Sequence, residues 1–487
     1  MVAEPGRRIR HSPSYLEVLV NLGYRACALA LAIWFLLGAA PVLADEGALS
    51  ATVQKALKAW QVTGAQVVVL EQGKVTYDQP FGLKNVASNA PVDNQTRFEI
   101  GSITKQFTAA AILQLKEHGK LSLSDPLGKY VPQYARAKNI TIEQLLWQVT
   151  GIPNYTATKN FMQIATSHRG TFNAMLAMVK NKPLNFEPGT KWQYSNTNYL
   201  LLGRIVEVAS GIPWRTYVQT HIFDTLGMKE STFMENEANV DDMATGYYSP
   251  KKTLEPSPPF LGWAGGAGAI VSTATDMAKW DEGLFGGKVI AQSDLALMTS
   301  PGRLANGKAT DYGFGWLLDT HDGQQRIWHN GGTFGFNSTN HVYPRLGQAI
   351  IVLENTIGAD ANSLASVVFD ALHPDLVATQ TQAVPGENPA VTARVKAVWE
   401  QFTSGNVDRS QLTPEMSKAM TPDVLAGAKA QFAQLGTATS WTYRGEQSNE
   451  NQTTYTYLVV FSSGFKTNIF MSLTKDGKIS GYLVRPA

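Results

Sequence analysis

Ser102 and Lys105 stand three residues apart in Phe98-Glu-Ile-Gly-Ser-Ile-Thr-Lys-Gln-Phe107. On a helix that spacing puts a hydroxyl and an amine on one face. A serine hydroxyl is inert until a neighbouring base takes its proton, so the chemistry implied is acyl transfer. The four-residue pattern is not enough by itself, because Ser249-Pro-Lys-Lys252, Ser463-Gly-Phe-Lys466 and Ser472-Leu-Thr-Lys475 repeat it. Setting distinguishes the first copy. Gly101 allows a tight approach from the extended Arg97–Ile100 segment, and Phe107–His118 is a run of helix formers stopped by Gly119. Ser102 is therefore expected at a helix N-terminus, where backbone N–H groups favour developing negative charge.

A serine nucleophile also needs a base, an oxyanion site and a group that orients the substrate. Tyr194, in Tyr194-Ser195-Asn196, is the only one of 17 tyrosines in a Y-x-N triplet. A phenol, with a reference pKa of about 10, works as a base when nearby positive charge lowers that value. Lys105 is the expected source of that charge. Alone, Tyr194 reads as well as a loop cap against the core. His329-Asn-Gly-Gly332 follows a strand-like segment, whereas His168-Arg-Gly170 and His321-Asp-Gly323 share only the H-x-G pattern. Glycines at a strand edge, here Gly331 and Gly332, let an acyl group lie against the backbone with an N–H free for its oxygen.

These residues need a scaffold. A helix over Ala48–Trp60 precedes two strands, Gly64–Leu70 and Lys74–Tyr77, joined by the Glu71–Gly73 turn. A largely helical stretch reaches about residue 235, with a helix from about Tyr199. Strands return at Gln325–Trp328, Ser338–Tyr343 and Gln348–Leu353, followed by a helix over Ala361–Ala371. Strands at both ends with helices between them predict an α+β fold whose sheet is assembled from distant parts of the chain. Residues 379–389 read as a linker broken by Pro and Gly. Beyond it, Ala390–Thr403 and Thr421–Gly436 read as helices, and Thr454–Phe461, Lys466–Leu473 and Gly477–Arg485 as strands. Residues 45–378 and 390–487 are thus two expected domains, as the length of 487 residues also suggests.

Arg7, Arg8, Arg10 and Arg25 precede an apolar run, Ala26–Ala40, that ends at Val42-Leu43-Ala44. This reads as an export signal over residues 1–44, cleaved after Ala44, and predicts a periplasmic or secreted protein with no stable membrane insertion. The single cysteine, Cys27, lies inside it. The remaining chain then excludes disulfides, thiol catalysis and zinc–thiolate sites. Residues 1–44 carry four Arg and two Glu, so a formal charge of +2 for the whole chain becomes zero without them. That balance gives no footprint for nucleic acid. No H-E-x-x-H or comparable spacing points to a metal, and no cofactor is expected.

Taken together, the ordered segments resemble the serine beta-lactamase-related and penicillin-binding family, in its class C-like branch. Phe98–Ala110, Leu121–Leu127, Leu145–Tyr155, Glu187–Gly203, Gly262–Gly268, Ser272–Trp280 and Tyr312–Trp316 carry the resemblance, over roughly residues 48–375. It implies an antiparallel sheet flanked by helices, a beta-lactamase/transpeptidase-like fold, with a helical region beside it and the site between. It also implies Ser102 as the acylated nucleophile, Lys105 as the amine that keeps the base ionised and Tyr194 as the general base. Which of the last two takes the proton is left open, since coupled groups titrate as a pair. Asn196, His329 and Gly331 would bind substrate, and the amides of Ser102 and Gly332 would form the oxyanion hole.

The chain departs from the family pattern in two places. His329 stands where many members have the lysine of a K-T-G triplet, and no K-[ST]-G occurs. Losing that charge-assisted contact costs about 1.5–3 kcal/mol, so beta-lactam hydrolysis is expected to be weak at best. The expected substrates are small esters, D-amino-acid amides or peptides. Trp147-Gln148-Val149 stands where relatives commonly carry His-Thr-Ser, and is expected to be structural only. Residues 390–487 resemble a nuclear-transport-factor-2-like or cystatin-like α+β module. Two rival readings remain: a protein that captures cell-wall peptides or penicillin without turnover, and an interaction protein acting through residues 390–487.

Overall fold

A computed structural model of the chain describes residues 46–486, apart from 135–137, 168–170, 235–239, 249–254, 257–262, 358–359, 434, 450 and 463–464. The export segment expected over residues 1–44 lies outside the described residues. Among the described residues no helix is long and apolar enough to cross a membrane.

The strand Gly64–Glu71 (β1) has an unbroken apolar centre, Val67-Val68-Val69-Leu70, and is buried on both faces. Such a strand belongs in the middle of a covered sheet. It pairs antiparallel with Lys74–Asn85 (β2) on one side and with Gln348–Glu354 on the other. Numbering Ala90–Pro91 as β3, Leu317–His321 as β4, Gln324–Gly332 as β5, Asn337–Tyr343 as β6 and Gln348–Glu354 as β7, the seven-stranded order is β3-β2-β1-β7-β6-β5-β4. The sheet joins residues 64–91 to residues 317–354, distant parts of the chain, as the sequence predicts. Strand β4, hydrogen-bonded to β5, was not anticipated.

Alternation along β1 divides the core. Ala65, Val67 and Val69 face helices Glu46–Ala59 (α1) and Ala361–Leu372 (later called α5), through Val53, Leu57, Leu364 and Val368. Val68 and Leu70 face the larger core, which contains the helix Thr104–Glu117 (α2). Residues Thr104–Leu115 of α2 are all buried, so it runs through the centre rather than over a surface. Its polar side chains are accommodated one by one. Gln106 accepts from Trp280 Nε1 at 3.0 Å, Thr108 donates to Gly266 O at 2.8 Å, and Gln114 donates to Val289 O at 2.9 Å.

Two further helices matter below, Asn196–Ser210 (α3) and Ala274–Phe285 (α4). Past residue 373 a helix over Pro374–Thr381 extends into the segment expected to be linker, and Pro389 already starts the helix Pro389–Ser404 (α6). Proline suits the first helical turn, where its missing N–H has no partner to lose. With Pro422–Phe432 (α7), α6 packs on a separate four-stranded antiparallel sheet, Ala438–Ser448 (β8), Gln452–Phe461 (β9), Lys466–Thr474 (β10) and Ile479–Pro486 (β11). The whole is α+β, with an extra C-terminal sheet beside the larger one. Strand β8, whose Ala438–Ser448 sequence is polar and interrupted by Gly445, escaped the sequence reading.

Candidate active site

Ser102 lies on a 3-10 turn, Gly101–Ile103, that leads directly into α2. Gly101 has φ +48°, a left-handed conformation, and a Cβ there would sit 2.9 Å from Gly332 N. Glycine is thus required both for the turn and for its approach to β5. Gly331 is the other half of that fit, since its Cβ would fall 2.0 Å from Ile100 O and 2.3 Å from Ser338 Oγ. The predicted substrate-binding Gly331 therefore faces inward, against the serine turn, and only its backbone is available to a ligand. Gly332 faces open space. Strand β4 pairs with β5 only as far as Trp328, so the β4 side of His329–Gly332 carries no strand.

The structure brings Ser102, Lys105 and Tyr194 together. Lys105 Nζ lies 2.8 Å from Ser102 Oγ, 2.9 Å from Asn196 Oδ1 and 2.6 Å from Ala267 O. Tyr194 OH donates to Ser102 Oγ at 2.8 Å. Lys105 is fully buried (0 % exposed), and burial without a counter-charge holds its amine well below the usual lysine range. Burial also pushes the Tyr194 phenol up, only partly offset by its hydrogen bond to Ser102. This reverses the expectation that Lys105 would lower the phenol. Desolvation acts on both groups and favours the uncharged form of each.

The amine's partners give this chemical meaning. Asn196 Oδ1 and Ala267 O only accept, so a neutral amine spends its two N–H bonds on them. The remaining partner is Ser102 Oγ, toward which a lysine relieved of its proton can turn its lone pair. Asn196 itself is fixed by Nδ2 donation to Thr156 Oγ1 at 3.3 Å and N–H donation to Asn154 Oδ1 at 3.2 Å.

His329 is buried (1 % exposed) with Nε2 at 3.1 Å from Tyr312 OH and Nδ1 at 2.6 Å from Asn330 O. Burial, then the nearby Lys105, lower its pKa to about 3. It is a neutral imidazole, and it lies with Tyr312 against the Tyr194 ring, centroids 6.0 and 6.2 Å away.

Gln148, expected to be structural only, holds the tyrosine loop in place. It adopts φ +62° and is fully buried. Its Oε1 accepts from Ser195 N at 3.1 Å and from Asn198 Nδ2 at 2.6 Å, and its carbonyl accepts from Gln193 N at 3.0 Å. Helix α3 starts at Asn196, earlier than the sequence predicts, because this frame carries its first turn. Tyr312 and Ala267 were likewise not singled out. Both lie in segments that carry the family resemblance, which was the available signal.

The fold and site together define the class. The Beta-lactamase family matches residues 49–373, and the chain belongs to it. Penicillin-binding protein 4* of Bacillus subtilis (strain 168) is 31% identical over 306 residues, 59% of this chain and 67% of that protein. A D-stereospecific amidohydrolase from Streptomyces sp. superposes with a TM-score of 0.57 at 26% identity, covering 66% of this chain and 97% of its own. The octameric penicillin-binding protein homologue from Pyrococcus abyssi reaches a TM-score of 0.62 at 22% identity, over 91% of this chain and 100% of its own. That last likeness is one of fold, and its coverage takes in more of the chain than the family match.

Proposed function

We propose that this chain is a serine hydrolase that passes an acyl group through an ester on Ser102. The observation that carries the reading is the convergence of Lys105 Nζ and Tyr194 OH on Ser102 Oγ, each at 2.8 Å. In the first step the Ser102 proton goes to the neutral Lys105 amine while Oγ bonds to the substrate carbonyl carbon. The amides of Ser102 and Gly332 receive the oxyanion. The leaving amine or alcohol then departs with a proton returned through Tyr194, and water repeats the sequence to free the acid and restore Ser102. Asn196, held by Lys105, faces the amide or ester side of the substrate.

Small esters and D-amino-acid amides or peptides are the substrates this site favours, in keeping with the similarity to a D-stereospecific amidohydrolase. A neutral His329, whose one N–H is taken by Asn330 O, offers a carboxylate no charge, so beta-lactams are poor substrates. Residues 45–378 form the catalytic unit, 379–389 the connection and 390–487 an accessory module, and the 1–44 segment directs the protein to the periplasm or beyond.

Mass spectrometry after treatment with a fluorophosphonate tests the reading. An adduct on Ser102, absent in Ser102→Ala, is expected; an adduct elsewhere, or full activity in Ser102→Ala, rejects it. Rates on a short-chain nitrophenyl ester, a D-alanyl amide and nitrocefin then rank the substrates. An ester adduct that forms on all three and never turns over would instead establish a capture protein.

A further inference from the structure

His321-Asp-Gly323 shares the H-x-G pattern of the active-site strand but lies at the opposite end of β5. His321 closes β4, and Asp322, at φ +45°, makes the turn into β5. Across from them, Asp370 projects from Ala361–Leu372 (α5), and Lys466 opens β10 of the C-terminal sheet. His321 is 2 % exposed, walled by Phe369 with ring centroids 5.1 Å apart.

The hydrogen bonding here is incomplete. Both ring nitrogens of His321 and Oδ1 of Asp370 are buried and without a hydrogen-bond partner. Nε2 and Oδ1 face each other at 3.7 Å. That gap is too long for an N–H···O bond, which needs about 2.7–3.2 Å. It is close to the N···O span across a zinc ion, about 3.4 Å at a tetrahedral angle with bonds of about 2.0–2.2 Å. Asp370 uses its other oxygen, Oδ2, to receive Lys466 Nζ at 2.6 Å, and the same ammonium lies 3.5 Å from Asp322 Oδ2. One ammonium thus faces two carboxylates, with the His321 imidazole beside them. Donor atoms of His321, Asp322 and Asp370 all lie within 4.8 Å of one another.

We propose that His321, Asp322 and Asp370 form a divalent transition-metal site, suited to zinc, with Lys466 orienting Asp370 from outside the ligand set. One imidazole and two carboxylates are a donor set that zinc accepts, with a further position left to water. A ligating carboxylate commonly has its second oxygen fixed by a hydrogen bond, which is what Lys466 supplies. The site is remote from Ser102 in sequence and chemistry. Its ligands all come from the family domain, and its outer support, Lys466, comes from the C-terminal sheet.

Cobalt(II) titration of the full chain, stripped with chelator, tests this directly. The expected result is a visible absorption band that saturates at one ion per chain and is erased by zinc. Zinc should also raise the Tm. His321→Gln and Asp370→Asn should fold, judged by unchanged circular dichroism and unchanged Ser102 labelling, and lose both responses. Absence of the band and of the zinc-dependent Tm shift in the folded wild-type chain overturns the proposal. So does binding that persists undiminished in both variants. Because neither readout uses substrate turnover, a failed hydrolase reading would leave this result standing, and the reverse.

Discussion

Lys105 and Lys466 are both largely withdrawn from water, yet their surroundings ask opposite things of them. Lys105 is ringed by a hydroxyl, an amide oxygen and a backbone carbonyl, none of them charged. Lys466 meets Asp370 and Asp322. Burial without an anion favours the neutral amine at Lys105, whereas Lys466 is placed against two carboxylates. One lysine is thereby prepared to take a proton, and the other serves as a counter-ion between two layers of structure. What separates a base from a strut is the partner set, not burial.

Exchanging each lysine for methionine is the strongest way to break this comparison. Lys105→Met is expected to slow acylation of Ser102 by about 10²–10⁴-fold, the range for loss of a positioned base. Lys466→Met is expected to leave labelling within a few-fold of wild type while lowering unfolding stability by about 1–3 kcal/mol, since it leaves two partly buried carboxylates without their cation. Stopped-flow labelling and urea titration separate the two effects. Equal damage to labelling from both changes would erase the distinction.

Tyr194→Phe comes next. It removes the hydrogen bond to Ser102 Oγ and keeps the ring, and a loss of about tenfold to hundredfold in kcat is expected, corresponding to about 1.5–3 kcal/mol. A loss as large as that of Lys105→Met would move the role of base to the phenol.

The pH profile sharpens the point further. Lys105 acts only when deprotonated, and burial lowers its pKa, so the acylation rate should climb with pH through the folded-state ionisation of this amine. His329, at about 3, is neutral throughout the range from pH 5 to 8 and should add no step there. His329→Asn should therefore change the height of the profile and not its shape. A histidine-like inflection near pH 6.5 that vanishes in this variant would show that His329 ionises in the working enzyme.

The smallest expected effect on the chemical step belongs to Gln148→Ala, whose cost falls on stability. It leaves Ser195 N and the Asn198 amide without an acceptor, at a cost of about 1–3 kcal/mol for each group. Thermal unfolding should show that loss, with a lower kcat as the Tyr194 loop loosens and little change in KM.

The parts legible in the sequence were those governed by local rules. The Ser102 helix, the apolar β1 and the Tyr194-Ser195-Asn196 triplet announce themselves by composition and spacing. So Ser102, Lys105 and Tyr194 are legible by residue number, and the three side chains meet. Strands β4 and β8 were missed because their patterns are polar and short on β-branched runs. They are strands by virtue of the neighbours they pair with. Gln148 was passed over for a related reason. Nothing around it in the chain reveals that residues 193, 195 and 198 will come to rest on it. The net shift of the Tyr194 phenol runs opposite to expectation because charge is weighed there without desolvation, a quantity only the packed interior supplies. The unsatisfied nitrogens of His321 are likewise invisible until three separate elements converge.

The pairing of β1 with β7 carries a consequence for assembly. Ala65 lies opposite Glu354 and Glu71 opposite Gln348, so the first strand to leave the ribosome waits for one of the last in the family domain. Contacts that distant pay their loop-closure entropy before they return anything, which slows their formation. Ser102 is synthesised early, but Gly332 beside it belongs to the late-arriving strands. A truncated or half-made chain would hold Ser102 without the strand that lies against its turn until the sheet is closed.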